Sequence, residues 1–393
     1  MTEPRSLAER VGQGDRVAIA HLAESVVRVR PDNFVERPWA GQRLAAHKGL
    51  ALDEARAGKR FGEAFEIAAD PTDPECAAHP SVAVLEDGSE IALPALFDAA
   101  GEALLGAAFV RAHGARLPIL PKTLDIEQLL SVQAHPEGLP EMYLVIDADP
   151  GASIRVGFAR EVDTRELERK LLRYESMLAA RARLLTALPP GDELHEANDY
   201  VIGLLNEVPV SAGDVIWNAS PATRKLPTPS ADVHALGNTV GAGLLVLEVR
   251  KPGPTLRLWD HARLPARQLD ISAALRAMAP RVSTPRDFRV TPASLPGHPG
   301  VERAVACGAF VVDLLRPTLA HGALPPGRRA PSTLHVVAGE VRLVGLRGEA
   351  LGVVRRGESV LVPAALTIGE VSASVPDALA VQVAVGDATV GIR

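Results

Sequence analysis

The stretch Ser131-Val132-Gln133-Ala134-His135-Pro136, with Glu141 close behind it, decides how this chain is read. In a strand, residues i and i+2 face the same way, so Gln133 and His135 project together into one cavity. Further along, Asp232-Val233-His234-Ala235-Leu236-Gly237 brings a second imidazole. With the Glu141 carboxylate these residues make a mixed nitrogen and oxygen set. Such a set suits a borderline divalent metal such as zinc and leaves a position for water or substrate. A Gln-x-His strand is not a site by itself, and either histidine has an alternative reading as a structural or surface residue.

Outward from that stretch, composition sets the limits. At 393 residues with 47% hydrophobic content, the chain is long enough for one large or two to three ordinary domains and for a buried site. Its net charge of -6 is spread over interspersed acids and bases, so no basic stripe marks a nucleic-acid partner. Cys76 and Cys307 are the only cysteines, which gives neither a disulfide framework nor a Cys-rich zinc module and fits a reduced, cytoplasmic setting. Residues 1–15 carry Glu3, Glu9 and Asp15 without an apolar core segment, and no run of eighteen apolar residues follows. Neither a signal peptide nor a membrane span is expected.

The chain order reads strands, helices, strands. Leu7, Val11, Val17, Ile19, Leu22 and Val26 recur at helical spacing, which predicts a helical N-terminal extension over 1–30. A helix is expected over Leu93–Ala112, and strands over Ile119–His135 and Met142–Phe158, the latter broken at Asp149-Pro150-Gly151. Thr164–Leu188 reads as a helix capped by Thr164 and ended by Pro189-Pro190-Gly191, and a second helix is expected over Glu193–Leu205. Strands resume at Gly243–Arg250 and Thr255–Leu258. A Pro-rich connection over Pro285–Pro299 then leads to short strands at Phe310–Leu315, Ser332–Val337, Glu340–Leu346, Ala350–Val354 and Ser359–Val362. Val210–Ile216 (VSAGDVI) and Val354–Val360 (VRRGESV) share a phrase, which suggests a duplicated β unit. His335, in the second unit, lacks Gln, His and Glu partners in the same pattern and reads as structural.

The segment from Lys122 to Pro136, with Lys122, Leu130, Ser131, Gln133 and His135, resembles the signature strand of the type I mannose-6-phosphate isomerases (phosphomannose isomerases) of the cupin superfamily. Agreement continues in order through Glu36-Arg37-Pro38-Trp39, Gly62–Ile67, Pro140–Tyr143, Leu205–Pro209, Gly213-Asp214-Val215, the His234 motif, Glu248 and Leu256–Asp260. The resemblance implies a mainly β fold with helical insertions: two cupin-type jelly-roll β-barrels plus a helical segment. On that reading, 31–163 and 206–284 form the metal-binding cupin domain, 164–205 the helical segment, and 285–393 a C-terminal cupin-like domain.

The resemblance also implies a zinc-dependent isomerase of a sugar phosphate, moving a proton between C1 and C2 through an enediol(ate). By carry-over, Gln133, His135, Glu141 and His234 are the zinc ligands, Arg257 faces the developing oxyanion, Lys122 and Ser131 contact the substrate, and Glu248 transfers the proton. Each has an alternative: Lys122 as a snorkelling edge residue, Ser131 bonded only to backbone, Arg257 and Glu248 paired across strands as a structural ion pair. Asp260 and His261 are expected outside the ligand set. Three departures leave the sugar open. Only five residues separate His135 from Glu141, which shortens the hairpin that covers the site in the family. Leu139 stands where a Lys is common. The loop Ala219–Asp232 is longer than usual and bears Arg224 and Lys225, either a replacement charge or a solvated loop. Isomerisation of another aldose, and a non-catalytic metal-bearing sugar-binding protein, remain the competing readings.

Overall fold

The computed structural model describes residues 5–183, 192–221, 223–226, 228–278, 280–328 and 330–386. Most of its regular structure is antiparallel β, arranged in sheets of seven, five, nine and three strands, with short helices between them. Alternation along Glu141–Ala148 sets the layering. Tyr143 and Val145 turn into a core shared with Val156, Val208, Leu236 and Val246, while Met142 and Leu144 pack on the other side with Leu247, Val249 and the helix Leu93–Leu105. One side of the strand thus meets the five-stranded sheet. The other meets the helical layer and the nine-stranded sheet. Each side chain fully buried this way contributes about 1.5–3 kcal/mol for a Leu, Val or Phe.

The seven-stranded sheet runs in the order Arg289–Val290, Val215–Asn218, Glu141–Ala148, Leu244–Arg250, Leu120–Ile126, Phe61–Phe65, Phe34–Glu36. The five-stranded sheet runs Leu205–Pro209, Ser153–Phe158, His234–Leu236, Val132–Ala134, Leu256–Trp259. In the C-terminal half, the nine-stranded and three-stranded sheets enclose a separate core that includes Leu334, Val336, Leu343, Val360 and Val371. The two phrases alike in sequence occupy equivalent turns. Gly213 (φ 91°) and Gly357 (φ 81°) both take the left-handed conformation that glycine adopts without strain, each just ahead of a strand, Val215–Asn218 and Ser359–Val362.

Several expectations are corrected. The N-terminal segment forms two short helices, Leu7–Gly12 and Arg16–Leu22, and then a strand, Val27–Val29, which pairs with Ser359–Val362 of the nine-stranded sheet. Val82–Val84 and Glu90–Ala92 extend that same sheet. The helix expected over 93–112 is broken at Gly106 (φ 87°) into Leu93–Leu105 and Ala107–His113. Asp163, not Thr164, caps the long helix Thr164–Ala182, its carboxylate accepting from the backbone N–H groups of Arg165 and Glu166. The last expected turn of that helix lies outside the described residues. The next helix ends at Ile202, because Leu205 already belongs to a strand. Both helices press their apolar faces, Leu167, Leu171 and Leu178 with Leu194, Ala197 and Val201, into a core behind the five-stranded sheet.

Candidate metal centre

Register brings the site together. On the five-stranded sheet His234 lies opposite Gln133, and Gln133 opposite Arg257. On the seven-stranded sheet Glu248 lies between Lys122 on one side and Tyr143 on the other, and Arg250 lies opposite Glu141. The two rows face a cavity of about 460 Å³ whose walls include Gln133, His135, Glu141, Lys122, Glu248, Arg250 and Arg257. All seven reach it from strands or from the residue next to a strand, which is what holds a polar constellation rigid.

One ligand atom from each of His135, Glu141 and His234 lies within 4.8 Å of the others, and all three residues are buried. His135 Nε2 is 3.6 Å and His234 Nε2 3.2 Å from Glu141 Oε2. The far side of each ring is held by backbone: His135 Nδ1 lies 3.1 Å from the Pro254 carbonyl oxygen and His234 Nδ1 2.9 Å from that of Asp232. For His135, donation from Nδ1 to the carbonyl leaves the Nε2 lone pair facing Glu141, the tautomer a metal needs; at His234 the Asn218 amide nitrogen also lies 2.9 Å from Nδ1, and the ring offers Nε2 to a metal when Nδ1 donates to Asp232. His135 Nε2 has no hydrogen-bond partner among the described residues although it is buried. An orphaned imidazole nitrogen beside a buried carboxylate and a second imidazole is the arrangement a divalent cation completes.

The surroundings keep these groups in ligand form. Burial pushes the His234 imidazole below its ordinary pKa, so it stays neutral. For Glu141, burial favours the protonated acid, but positive charge facing it from the His234 and His135 side, with that of Arg250, outweighs burial and holds the carboxyl well below its usual range; with both rings neutral, that facing charge is the one a bound cation would supply. Tyr143, whose pKa is raised by burial and by the Glu141 charge, remains a donor and gives its O–H to Glu141 Oε2 at 2.6 Å. Asn218 Nδ2 donates to the same oxygen at 3.3 Å. Gln133 commits its amide NH₂ to Ser131 Oγ at 2.9 Å, so its carbonyl oxygen is the atom it can offer a cation. Ser131 is accordingly bonded to a side chain rather than only to backbone.

Beyond the metal donors lies a charged row. Lys122 is buried, with Nζ 3.0 Å from Glu75 Oε2, 3.7 Å from Glu248 Oε1 and 4.0 Å from Glu63 Oε2, and 4.8 Å from the centre of the Phe65 ring. It is no snorkelling edge residue. Glu248 is pushed up to about 8 by burial and by the charge of Glu141, against the pull of Lys122 and Arg250, and its Oε1 accepts no hydrogen bond from the described residues. Arg257 and Glu248 do not form the cross-strand ion pair. Arg257 Nη1 instead donates to the Gln268 carbonyl at 2.7 Å, while the cations beside Glu248 are Lys122 and Arg250. Asp260 and His261 stay outside the donor set, Asp260 bonded to Arg263 and Arg267 and His261 to the Leu130 carbonyl. Arg224 is spent on the carbonyls of Trp217, Ala219 and Asp287 and stacks over Trp217, and Lys225 is exposed; neither lines the cavity.

Sequence reasoning missed Arg250, Glu75 and the positioning roles of Tyr143 and Asn218. For Arg250 the signal was present, since it follows Glu248 by two residues on one strand and shares its face. Arg37 and Glu63 stood inside quoted motifs without a role; their side chains pair at 2.8 Å on the cavity wall.

Residues 61–151 match the sequence profile of the phosphomannose isomerase type I catalytic domain. A mannose-6-phosphate isomerase of Streptococcus mutans is 27% identical over 341 residues, 83% of this chain and 88% of that protein. Among solved structures, the mannose 6-phosphate isomerase of Bacillus subtilis superposes with a TM-score of 0.66 at 20% identity, covering 92% of this chain and 99% of the other. A zinc-bound mannose 6-phosphate isomerase gives 0.64 at 17% identity, with 92% and 100% coverage. The chain is thus similar to the type I phosphomannose isomerases along most of its length and carries the signature of their catalytic domain over residues 61–151.

Proposed function

We propose that the chain is a zinc-dependent aldose–ketose isomerase that interconverts mannose 6-phosphate and fructose 6-phosphate. The observation that carries this reading is the orphaned His135 Nε2 beside Glu141 and His234, at a cavity that Lys122, Glu248 and Arg257 also line. The metal would be held by Gln133, His135, Glu141 and His234. When bound, zinc supplies a fixed positive charge that favours ionisation of the substrate's C1–C2 oxygens.

The remaining work belongs to the chain's own side chains. Glu248, a buried carboxyl on the cavity wall whose pKa burial raises, would exchange a proton with the substrate carbons as general acid or base. Arg257 keeps its charge and faces the cavity from the neighbouring sheet, where it opposes negative charge developing on the enediol(ate). Ser131 is buried behind the cavity wall and accepts from the Gln133 amide, so it acts on the site by holding Gln133. Lys122 meets the anionic part of the sugar. The paired arrangement of sheets, with one core between the seven- and five-stranded sheets and another between the nine- and three-stranded sheets, supports two cupin-type barrels with 164–205 as a helical segment; because Val27–Val29, Val82–Val84 and Glu90–Ala92 join the nine-stranded sheet, the second barrel draws on the N-terminal part as well as on residues after 285. No helix among the described residues is long and apolar enough to cross a membrane; two buried free cysteines accord with a cytoplasmic setting.

A coupled assay on zinc-loaded protein tests the reading, with mannose 6-phosphate run beside free mannose and other aldose phosphates. Turnover of mannose 6-phosphate above the others supports it. Turnover confined to another aldose shifts the substrate, and bound zinc without turnover of any sugar replaces the isomerase by a binding protein.

A further inference from the structure

The cation row beside the metal centre already holds an anion. Glu75 Oε2 lies 3.0 Å from Lys122 Nζ and 2.8 Å from Arg250 Nη2, and Glu75 Oε1 lies 3.9 Å from Arg37 Nη2. Both close cations are almost completely buried, with side chains 5% and 3% exposed, whereas the Glu75 side chain keeps 36% of its surface. Lys122 and Arg250 come from adjoining central strands of the seven-stranded sheet. Glu75 comes from a five-residue helix, Pro74–Ala78, outside both sheets of the site. So two rigidly mounted cations line the cavity, and the carboxylate on them arrives from a partly exposed connecting segment.

We infer that Glu75 is a built-in occupant of the site's anion seat: its carboxylate sits where Lys122 and Arg250 grip the anionic group of the substrate, and it withdraws when that group binds. Without Glu75, the acids within 4.0 Å of Arg37, Lys122 and Arg250 among the described residues are Glu63 and Glu248, while the charges of Glu141 and Asp73 act on Arg250 from farther away. Of their contacts, only Arg37 with Glu63 at 2.8 Å is close; Lys122 and Arg250 keep carboxylates at 3.7 to 4.0 Å. A phosphate, with three oxygens, can bridge an ammonium and a guanidinium set this way as well as a carboxylate does, and it carries more charge. The occupant masks the seat: apparent affinity falls by the fraction of time the seat is open. The same contact keeps two buried cations paired while the site is empty, which spares the cost of an uncompensated buried charge.

The inference deepens the isomerase reading and rests on it for the identity of the substrate, but its test needs no turnover. Inorganic phosphate is titrated calorimetrically into the zinc-loaded full chain, wild type, Glu75→Gln, Glu75→Ala and Arg250→Gln, with zinc content and circular dichroism confirming that each is folded. We expect the Glu75 variants to bind phosphate about tenfold tighter, the gain for a seat otherwise closed roughly nine-tenths of the time, and Arg250→Gln to lose most of the affinity. KM for mannose 6-phosphate falls in parallel in the Glu75 variants. Phosphate affinity unchanged or weaker in both Glu75 variants, or no phosphate binding by any of the proteins, overturns the inference and makes Glu75 a strut that aims the cations. If Glu75→Ala fails to fold, Glu75→Gln decides alone. Tighter phosphate binding without turnover of mannose 6-phosphate refutes the isomerase reading and leaves the anion seat standing; turnover with unchanged phosphate affinity does the reverse.

Discussion

His335 gives a stability test whose size follows from the structure. It is buried in the C-terminal half, with Nδ1 2.7 Å from Ser359 Oγ and Nε2 2.7 Å from Thr333 Oγ1. Ser359 donates its own proton to Glu66 Oε2 at 2.7 Å, so it accepts from His335 Nδ1, and Thr333 donates to Nε2. Both ring nitrogens are therefore used by a neutral imidazole. Burial lowers its pKa from 6.5 to about 4, with Glu66 opposing the shift and Lys48 adding to it. Above pH 6.5 the ring is neutral in folded and unfolded chains alike. As pH falls from 6.5 towards 4, the unfolded chain takes up a proton that the folded chain refuses, so stability is lost at about 1.4 kcal/mol per pH unit. At pH 5 the loss from this one group is about 2 kcal/mol.

The perturbation is His335→Gln, and the assay is urea denaturation of metal-free wild type and variant at pH 7.5 and pH 5.0. At pH 7.5 the variant is less stable by about 1–3 kcal/mol, for buried hydrogen bonds remade imperfectly. At pH 5.0 that gap shrinks by about 2 kcal/mol, because the wild type alone suffers the histidine loss. A gap that stays constant refutes the reasoning, and one that widens means that folded His335 is protonated and paired with Glu66.

Three further outcomes are expected at the site. Tyr143→Phe removes the 2.6 Å donor to Glu141 and weakens zinc binding about 10- to 100-fold in a chelator competition, since groups that orient a ligand carry that much of the affinity. Arg257→Ala lowers kcat about a hundredfold or more with zinc content unchanged; loss of zinc instead would make Arg257 a structural residue of the metal sheet. Lys122→Met abolishes turnover and also destabilises the chain by about 3–5 kcal/mol in urea melts, because Glu75 and Glu248 lose a buried partner. A variant as stable as wild type would contradict the buried pairing.

Of the candidate metal donors, strand alternation made the pairing of Gln133 with His135 legible within three residues, and the family resemblance supplied the full set. The structure adds what Glu141 and His234 need, a cross-strand register that the sequence cannot state. Glu75 was illegible. It lies in a turn-rich stretch with no periodicity, and only tertiary packing carries it to Lys122 and Arg250. Val27–Val29 was hidden for another reason: three residues are too few to break a helical spacing that began at Leu7, and pairing with Ser359–Val362 decides their conformation. Likewise Gly106 ends a helix inside a run whose apolar spacing continues across it, because its φ of 87° lies outside the helical region. In the C-terminal half the short strands from Phe310 to Val362 were visible between their turns. Ile368–Ala373 and Leu379–Val385 were passed over because neither alternates: the first buries only Ile368 and Val371, and the second is buried through its whole middle.

The measurement that tests the central claim most directly is a zinc titration of chelator-stripped protein, following metal content and mannose 6-phosphate turnover together. The account predicts that the stripped protein is inactive, and that turnover rises linearly with zinc and breaks at one equivalent per chain, with His135→Ala neither retaining the metal nor recovering. Full turnover in the stripped protein, or zinc bound at one equivalent with no turnover at all, would contradict it.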